Sequence, residues 1–351
     1  MKMKIIKIPL QPYSRFHFGE FNTDNNVALN STSLYAHSDT LFSALINSYS
    51  DKNNGAEDFI NHFKENNINV SSQFYYIKNI TSNSTIYLLP KPVFLDVFTK
   101  RDGNHKNRNR IQFVSNGVWQ NGFDPSSWLT EDGSINSNEY ALIQEGEILL
   151  TKTEFDNFSF TENTTIFKIS DSPKSPIRAH ENASIFYQAD LEISKIELVE
   201  IGLCFFYKAE KEYETTLKIA TNILSKTGLG GEKSNMGRSM SIPVFEDIKN
   251  IFPSSKENFE TGYSNISLLN PKDENELKNI KYSKTILRGG TGFNGADSDY
   301  KVIRMIKEGA LIDNNTTKGR LVEIGRDYLD REVWRNGKAL LIPILYKKTE
   351  I

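Results

Sequence analysis

The residues of this chain best suited to binding chemistry lie in a glycine-rich segment at positions 226–238, with the sequence KTGLGGEKSNMGR. Its four glycines allow the backbone to approach another backbone closely and to present N–H groups. Lys233 and Arg238 add positive charge beside those donors, and Ser234 and Asn235 supply short polar side chains. The segment therefore predicts a site for a phosphate chain.

The spacing within this segment disfavours nucleotide cofactors. A P-loop requires Gly-Lys-Ser/Thr in direct succession after a strand, whereas Glu232 separates Gly231 from Lys233 here. A dinucleotide fingerprint starting at Gly228 would need a glycine at position 233. A purely structural interpretation stays open, in which Gly228 ends the preceding helix and the remaining residues form a loop.

Composition limits the functional classes further. The chain has 351 residues and a net charge of −2, so a nucleic-acid site must be a local basic patch. A lone cysteine, Cys204, cannot form an internal disulfide, which favours a reducing cytoplasm. No signal peptide or membrane-spanning run is visible, so we expect no membrane association. The histidines are scattered and lack metal-ligand spacing, so we expect neither a metal nor a cofactor.

The pattern of apolar residues predicts the elements that position the glycine segment. An alternating strand at 4–10 precedes a helix that opens at Ser38 and Asp39, and two further strands are expected. A strongly strand-like stretch through Tyr207, a helix over 213–227 and a strand over 240–245 follow. Pro9 suggests an edge or a strand end. The other expected strands lie at 74–77, 85–89, 265–269, 282–287, 301–306, 321–324 and 339–346.

This order predicts an α+β protein with two ferredoxin-like, RRM-type domains. Residues 1–245 give β-α-β-β-α-β once a long insertion at about 96–180 is set aside, and the glycine segment precedes the last strand. The insertion is poor in apolar runs, and positions 100–110 carry five cations against one carboxylate. Residues 246–351 are predicted to form a second, reduced and β-rich domain.

Several motifs resemble the RAMP superfamily of CRISPR proteins and, more narrowly, the fourth subunits of type III-A Csm effector complexes. The resemblance covers most of the chain except 96–180. One departure is Ser239, where the family loop usually has a glycine. Besides the glycine segment, the motifs are FHFGE at 16–20, SDTLFSAL at 38–45, RGGTG at 288–292, MIKEG at 305–309 and VWRNGKALLIP at 333–343.

The resemblance implies a non-catalytic subunit that binds the 5′ repeat-derived handle of the crRNA. It also implies docking of the large Cas-ten-type subunit, contact with the third, backbone-forming subunit, and an approach to target RNA near the 5′ end of the guide. Two alternatives stay open. One is a metal-independent RAMP endoribonuclease that processes precursor crRNA, using His17, His37 or His180 for acid–base chemistry. The other is a protein-interaction subunit whose neighbours hold the RNA.

Residue types and the resemblance together predict the RNA-binding residues. His17 either stacks on a base or bonds a phosphate, or it is a polar residue between two core aromatics. Asp39 invites comparison with the acidic residue that cuts target RNA in the backbone subunits, but its place at a helix start favours capping. The predicted contacts are Phe16, His17, Phe18, Gly19, Arg178, His180, Lys226, Gly228, Gly230, Gly231, Lys233, Ser234, Asn235, Gly237, Arg238, Arg288, Gly289 and Gly290, with thumb contacts from Arg101, Lys106, Arg108 and Arg110.

Overall fold

The computed structural model describes most of the chain, and every structural statement below concerns these residues. They are 1–21, 31–53, 55–98, 105–128, 135–174, 186–231, 240–248, 251–253, 255–290, 300–325 and 332–347. Helices and strands are both present throughout, so the predicted α+β class is confirmed.

The helix that ends where the glycine segment begins is amphipathic. In the helix that precedes the glycine segment, Leu217, Ala220 and Leu224 are buried along one side, as their spacing predicted. The described helices are α1 (Ser38–Asn53), α2 (Ala56–Lys64), α3 (Leu95–Phe98), α4 (His105–Arg110), α5 (Asn116–Asn121), α6 (Pro125–Trp128), α7 (Lys152–Asn157), α8 (Glu214–Thr227) and α9 (Glu274–Lys278).

The strands of the first two thirds of the chain include several short ones that periodicity does not reveal. They are β1 (Met3–Pro9), β2 (Arg15–Phe16), β3 (Ile68–Val70), β4 (Phe74–Asn79), β5 (Thr85–Pro90), β6 (Phe113–Ser115), β7 (Tyr140–Ile143), β8 (Ile148–Thr151), β9 (Phe167–Lys174), β10 (Phe186–Ile193), β11 (Val199–Ala209) and β12 (Val244–Asp247).

The strands of the last third are β13 (Glu260–Asn265), β14 (Ile280–Tyr282), β15 (Thr285–Arg288), β16 (Ile303–Ile306), β17 (Leu311–Ile312), β18 (Gly319–Glu323), β19 (Trp334–Lys338) and β20 (Leu341–Tyr346).

The main sheet runs in the order β12-β1-β11-β4-β5-β6-β8-β7, and β3 also pairs with β11. Its first pairs are antiparallel, with Ile5 opposite Phe206 across β1 and β11. Ile5 and Ile6 point to opposite faces of β1 and both are buried, so both faces of this part of the sheet are covered. Helices α1 and α8 pack against each other beside it. The glycine segment thus follows a helix that is fixed to a buried sheet.

Several predicted boundaries need correction. Pro9 ends β1 as expected, but β1 is an interior strand between β12 and β11 and not an edge. The strand expected at 240–245 is observed as β12, and the one expected at 265–269 lies earlier, as β13. The single strand expected at 282–287 is two, β14 and β15. Backbone pairing with distant strands sets these limits, and propensity does not report it.

The region at 96–180 was predicted to be an insertion with its own partial structure. Its described part instead extends the main sheet, because β6 pairs with β5 and with β8. Phe113 and Trp119 from this region are buried in the main core. These strands have only three or four residues each, too few for a period to stand out.

The last third of the chain packs directly on the rest. Strands β13 and β20 pair antiparallel in a four-stranded sheet ordered β14-β17-β13-β20. The Ser72 N–H donates to the Ile266 carbonyl at 2.8 Å, and the Ile266 N–H donates to the Leu340 carbonyl at 3.0 Å. Ile266 and Leu340 belong to the same buried cluster as the residues of β1. The division at residue 245 falls within β12, and the two-domain scheme stays a prediction.

Candidate nucleic-acid interface

Many of the predicted RNA-binding residues meet in one cleft of about 350 Å³. Its walls are the segment after β2, the first turns of α1, the residues that follow α8, and two arginine-bearing positions in β15 and β19. We call it the glycine cleft. The predicted residues that line it are His17, Phe18, Gly19, Gly228, Gly230, Gly231, Arg288 and Gly289.

The glycines of this cleft allow a close approach between two backbone segments. Gly228 ends α8, and its N–H donates to the Leu224 carbonyl, as the capping interpretation predicted. Gly230 has φ +91°, and a Cβ on it would lie 2.6 Å from the His17 carbonyl oxygen. The Gly231 N–H donates to that same oxygen at 2.9 Å. Gly228 therefore ends the helix, whereas Gly230 and Gly231 allow the close approach to the backbone of His17.

The aromatic residues beside His17 point into the protein. Phe16 has no exposed surface and Phe18 is 3% exposed, and their rings stack at a centroid distance of 5.6 Å. The prediction of Phe16 as an RNA contact is therefore corrected, since its ring packs in the core. His17 is also largely buried, and its Nδ1 lies 2.8 Å from the Ala189 carbonyl oxygen. It lies between two core aromatics, as one of its two interpretations stated, and it still borders the cleft.

A buried ionic cluster of Asp39, Arg288 and Arg335, here called the cleft triad, forms one wall. Arg288 Nε lies 2.8 Å from Asp39 Oδ2, and Arg335 donates to the same oxygen at 2.6 Å. Arg288 also donates to Asp39 Oδ1 and to the Thr40 hydroxyl. Arg335 reaches the Gly289 carbonyl at 3.0 Å. With two guanidiniums and one carboxylate, the triad carries a net charge of +1 beside the cleft.

Asp39 lies in the first turn of α1, where a negative charge complements the helix dipole. Its Oδ1 accepts the N–H of the next residue, Thr40, at 2.8 Å, which is not the N2 or N3 bond of an N-cap, so the capping hypothesis is corrected and only the dipole complementarity fits. Burial alone would raise the pKa of Asp39, but the charges of Arg288 and Arg335 outweigh it and hold that pKa well below its ordinary value. The same carboxylate raises the pKa of Arg288 against the effect of burial.

Arg335 was not among the predicted site residues. One signal could have identified it, because Arg335 lies within the motif at 333–343 that carries the resemblance. Its partner Asp39 lies 296 positions earlier in the chain. No spacing rule connects residues so far apart.

A second polar cluster lies just behind α1 and is closed to solvent. We call the set Tyr35, His37, Ser72 and Glu308 the buried network. Glu308 accepts hydrogen bonds from His37 Nδ1 at 2.9 Å, from the Tyr35 hydroxyl at 3.2 Å and from the Ser72 hydroxyl. Burial opposes ionisation of Glu308, but His37 and Ser72 lower its pKa overall. His37, a candidate acid–base residue of the endoribonuclease alternative, is thus engaged away from the cleft.

The remaining predicted residues are placed as follows. Lys226 is exposed in the last turn of α8, and Gly290 follows Arg288 at the end of β15. Arg108 is buried, whereas Arg110 is exposed and pairs with Glu145 at 3.1 Å. Lys106 lies in α4 with its side chain outside the described set. Also outside the described residues are Arg101, Arg178, His180, Lys233, Ser234, Asn235, Gly237, Arg238 and Ser239.

Metal binding and membrane crossing also concern the described residues. No group of three or more His, Cys, Asp or Glu side chains there is arranged to hold a metal ion. Within the same part of the chain, none of the helices combines the length and apolar character needed to cross a membrane.

Residues 259–344 match the family model described as the CRISPR Csm4 C-terminal domain. Over the full chain, the protein is 25% identical to "CRISPR system Cms protein Csm4" of Methanocaldococcus jannaschii, with 99% of each chain covered. Over its whole length the chain is therefore similar to a Csm4 protein of the CRISPR systems, and the resemblance stated from its motifs is confirmed.

Solved structures share the fold. A chain of a Csm3–Csm4 subcomplex of the type III-A CRISPR-Cas interference complex matches with a TM-score of 0.66 at 22% identity, covering 96% of this chain and 98% of that one. A chain of a Csm1–Csm4 cassette in complex with pppApA matches with a TM-score of 0.55 at 16% identity, covering 99% and 100%. The α+β architecture seen here is thus that of known Csm4 structures.

Proposed function

We propose that this chain is a non-catalytic subunit of a type III-A Csm ribonucleoprotein that binds the 5′ repeat-derived handle of the crRNA in the glycine cleft. The observation that carries the proposal is the meeting of several glycines and a triad of net charge +1 in one cleft. Guanidinium donors bind phosphate oxygens, and glycines let another backbone approach closely because they carry no side chain. We propose that Lys226, Lys233 and Arg238 pair with phosphates of the same RNA, as the sequence predicts.

The proposal includes protein partners. The relatives with the same fold were solved with Csm3 in one case and with Csm1 in the other, so we propose that this chain contacts the backbone subunit and anchors the large Cas-ten-type subunit. Target RNA near the 5′ end of the guide would pass nearby. The expected place of action is the cytoplasm, where guide RNA and invading nucleic acid meet.

We also propose that residues 1–245 contain a ferredoxin-like unit. Its support is the antiparallel strand order β12-β1-β11-β4, with α1 following β1 and α8 following β11. This is the order expected when the last strand of a β-α-β-β-α-β unit pairs beside the first. The glycine segment would then connect the second helix of the unit to its last strand.

The role is tested by binding of the purified chain to labelled handle RNA over a range of salt concentrations. The double variant Lys233→Ala, Arg238→Ala should bind more weakly, and its salt slope should fall by about 1.4, which is ~0.7 for each lost phosphate contact. The matched control is Lys211→Ala with Lys272→Ala, which removes two exposed cations elsewhere. Equal affinity and equal slope in both double variants would show that the cleft does not hold the RNA.

The same preparation separates the endoribonuclease alternative from the scaffold role. Incubation of repeat RNA with the protein in EDTA should leave the RNA intact. Specific cleavage that His17→Ala abolishes would establish the enzyme instead.

A further inference from the structure

The orientation of the His17 ring determines what the cleft offers to a ligand. Its Nδ1 lies 2.8 Å from the Ala189 carbonyl oxygen, which can only accept a hydrogen bond. Nδ1 therefore carries the proton. In the neutral ring the other nitrogen, Nε2, is then an acceptor and not a donor.

Nε2 faces a wall made of glycine backbone. A Cβ on Gly19 would lie 3.7 Å from Nε2, and one on Gly231 would lie 3.2 Å from the adjacent Cδ2. Both glycines line the cleft together with His17. Among the described residues none donates a hydrogen bond to Nε2. The contact of Nδ1 with the Ala189 carbonyl thus fixes the tautomer that presents Nε2 as an acceptor at the cleft.

The rest of the cleft suits the sugar–phosphate backbone better than the bases. Its other aromatic ring among the described residues, Phe18, is buried, so no ring is presented there for stacking. Arg288 and Arg335 provide cationic donors, which phosphate oxygens accept. A phosphate has no proton to give to Nε2 at neutral pH, whereas the 2′-hydroxyl next to it has one.

We propose that His17 Nε2 accepts a hydrogen bond from the 2′-hydroxyl of one nucleotide of the bound strand, so that the glycine cleft selects ribose over deoxyribose. This inference rests on the proposed function, because it assumes that the cleft holds RNA. His17 is then a specificity-determining residue of the binding site. A base N–H, from an exocyclic amine or from the ring of guanine or uracil, could also face Nε2, and the experiment below separates base from ribose.

The test is a substitution scan of the handle RNA against the unaltered protein at about pH 8, where an ordinary imidazole is neutral. Each nucleotide is replaced in turn by its 2′-deoxy and 2′-fluoro forms, of which neither can donate from that position. One nucleotide should show about five- to tenfold weaker binding with both forms, the effect of one lost hydrogen bond. The scan requires no protein variant and so cannot be confused with misfolding.

A His17→Phe variant completes a double-mutant cycle between His17 and the sensitive nucleotide. It should bind unsubstituted RNA about five- to tenfold more weakly, and the sensitive nucleotide should lose its preference for ribose. A sensitive position that persists unchanged in His17→Phe overturns the inference, as does a scan with no sensitive position. A His17-dependent loss seen only with base analogues that lack such a base N–H also overturns it, in favour of base reading.

These outcomes are distinct from failure of the proposed function. Handle RNA that binds well without any His17-dependent position overturns the ribose inference alone. Handle RNA that binds no better than unrelated RNA overturns the proposed function, and the ribose inference falls with it.

Discussion

The start of α1 is tied to the last third of the chain by two neighbouring polar clusters that differ in their access to solvent. In the cleft triad, the Arg335 side chain keeps 13% of its surface exposed and lines an open cleft. In the buried network, His37 and Glu308 are 2% and 0% exposed. Both clusters place a carboxylate against a basic partner, but only one leaves cationic donors facing a space that a ligand can enter. The buried network therefore only stabilises the fold, whereas the cleft triad also presents positive charge to the cleft.

The largest expected effect is on the closed cluster. We expect Glu308→Ala to lower the free energy of unfolding by about 3–5 kcal/mol, because removing one partner of a buried ion pair leaves the others unsatisfied. Denaturant unfolding measures this loss. The control Glu162→Ala removes an exposed carboxylate and should change stability by less than about 0.5 kcal/mol. Equal unfolding free energies for wild type and Glu308→Ala would show that the Glu308 carboxylate does not stabilise the core.

A smaller loss is expected in the open cluster. Asp39→Asn should lower the free energy of unfolding by about 2–3 kcal/mol, since two guanidiniums lose their shared charge but Arg335 can turn toward water. Asp171→Asn, at an exposed site on β9, is the matched control. A larger loss of unfolding free energy in Asp39→Asn than in Glu308→Ala would contradict the distinction between the two clusters.

Arg335, the least buried member of the triad, should matter more for RNA binding than for the fold. Arg335→Gln should weaken handle-RNA binding about tenfold and lower the salt slope by ~0.7, because the cleft loses its net positive charge. Its stability should fall by only about 1 kcal/mol, since Arg288 still neutralises Asp39. Arg320→Gln, an exposed site on β18, controls for the charge change. If Arg335→Gln destabilises the fold while each folded molecule binds handle RNA as tightly as wild type, Arg335 has a structural role only.

The smallest expected effect is the dependence of stability on pH. Asp39 and Glu308 both have lowered pKa values when folded, so the unfolded chain takes up protons first as pH falls below about 5. The stability that they contribute is present above the ordinary carboxyl pKa and is lost in acid. Between pH 5 and 3, wild type should lose about 1 kcal/mol more than Asp39→Asn. Parallel acid profiles for the two proteins would contradict this assignment.

Local sequence patterns predicted the elements around the cleft well. The apolar spacing of α8, the start of α1 at Ser38, and strands β1, β4 and β5 were recognisable because each is determined mostly by neighbours along the chain. The short strands β6, β7 and β8 were missed, since their burial depends on pairing with each other and with β5. The sequence therefore predicted partial structure for this region but not its pairing with the main sheet, and the insertion itself stays a prediction.

For the site, the sequence identified the glycines and the segment around His17. It misjudged Phe16, because a strand's alternation does not say which face is covered until the rest of the sheet is in place. It missed Arg335 as a partner of Asp39.

The sequence by itself determined the α+β class, the glycine-rich approach segment and the family motifs, because those depend on residue type and short-range spacing. Only the tertiary structure decided that Asp39, Arg288 and Arg335 form one cluster, and that His17 offers an acceptor to the cleft. The physical reason is the separation along the chain of the residues that make each contact. Secondary structure follows from contacts within a few residues, whereas an ion pair across 249 positions and a tautomer set by a distant carbonyl appear only once the chain has folded.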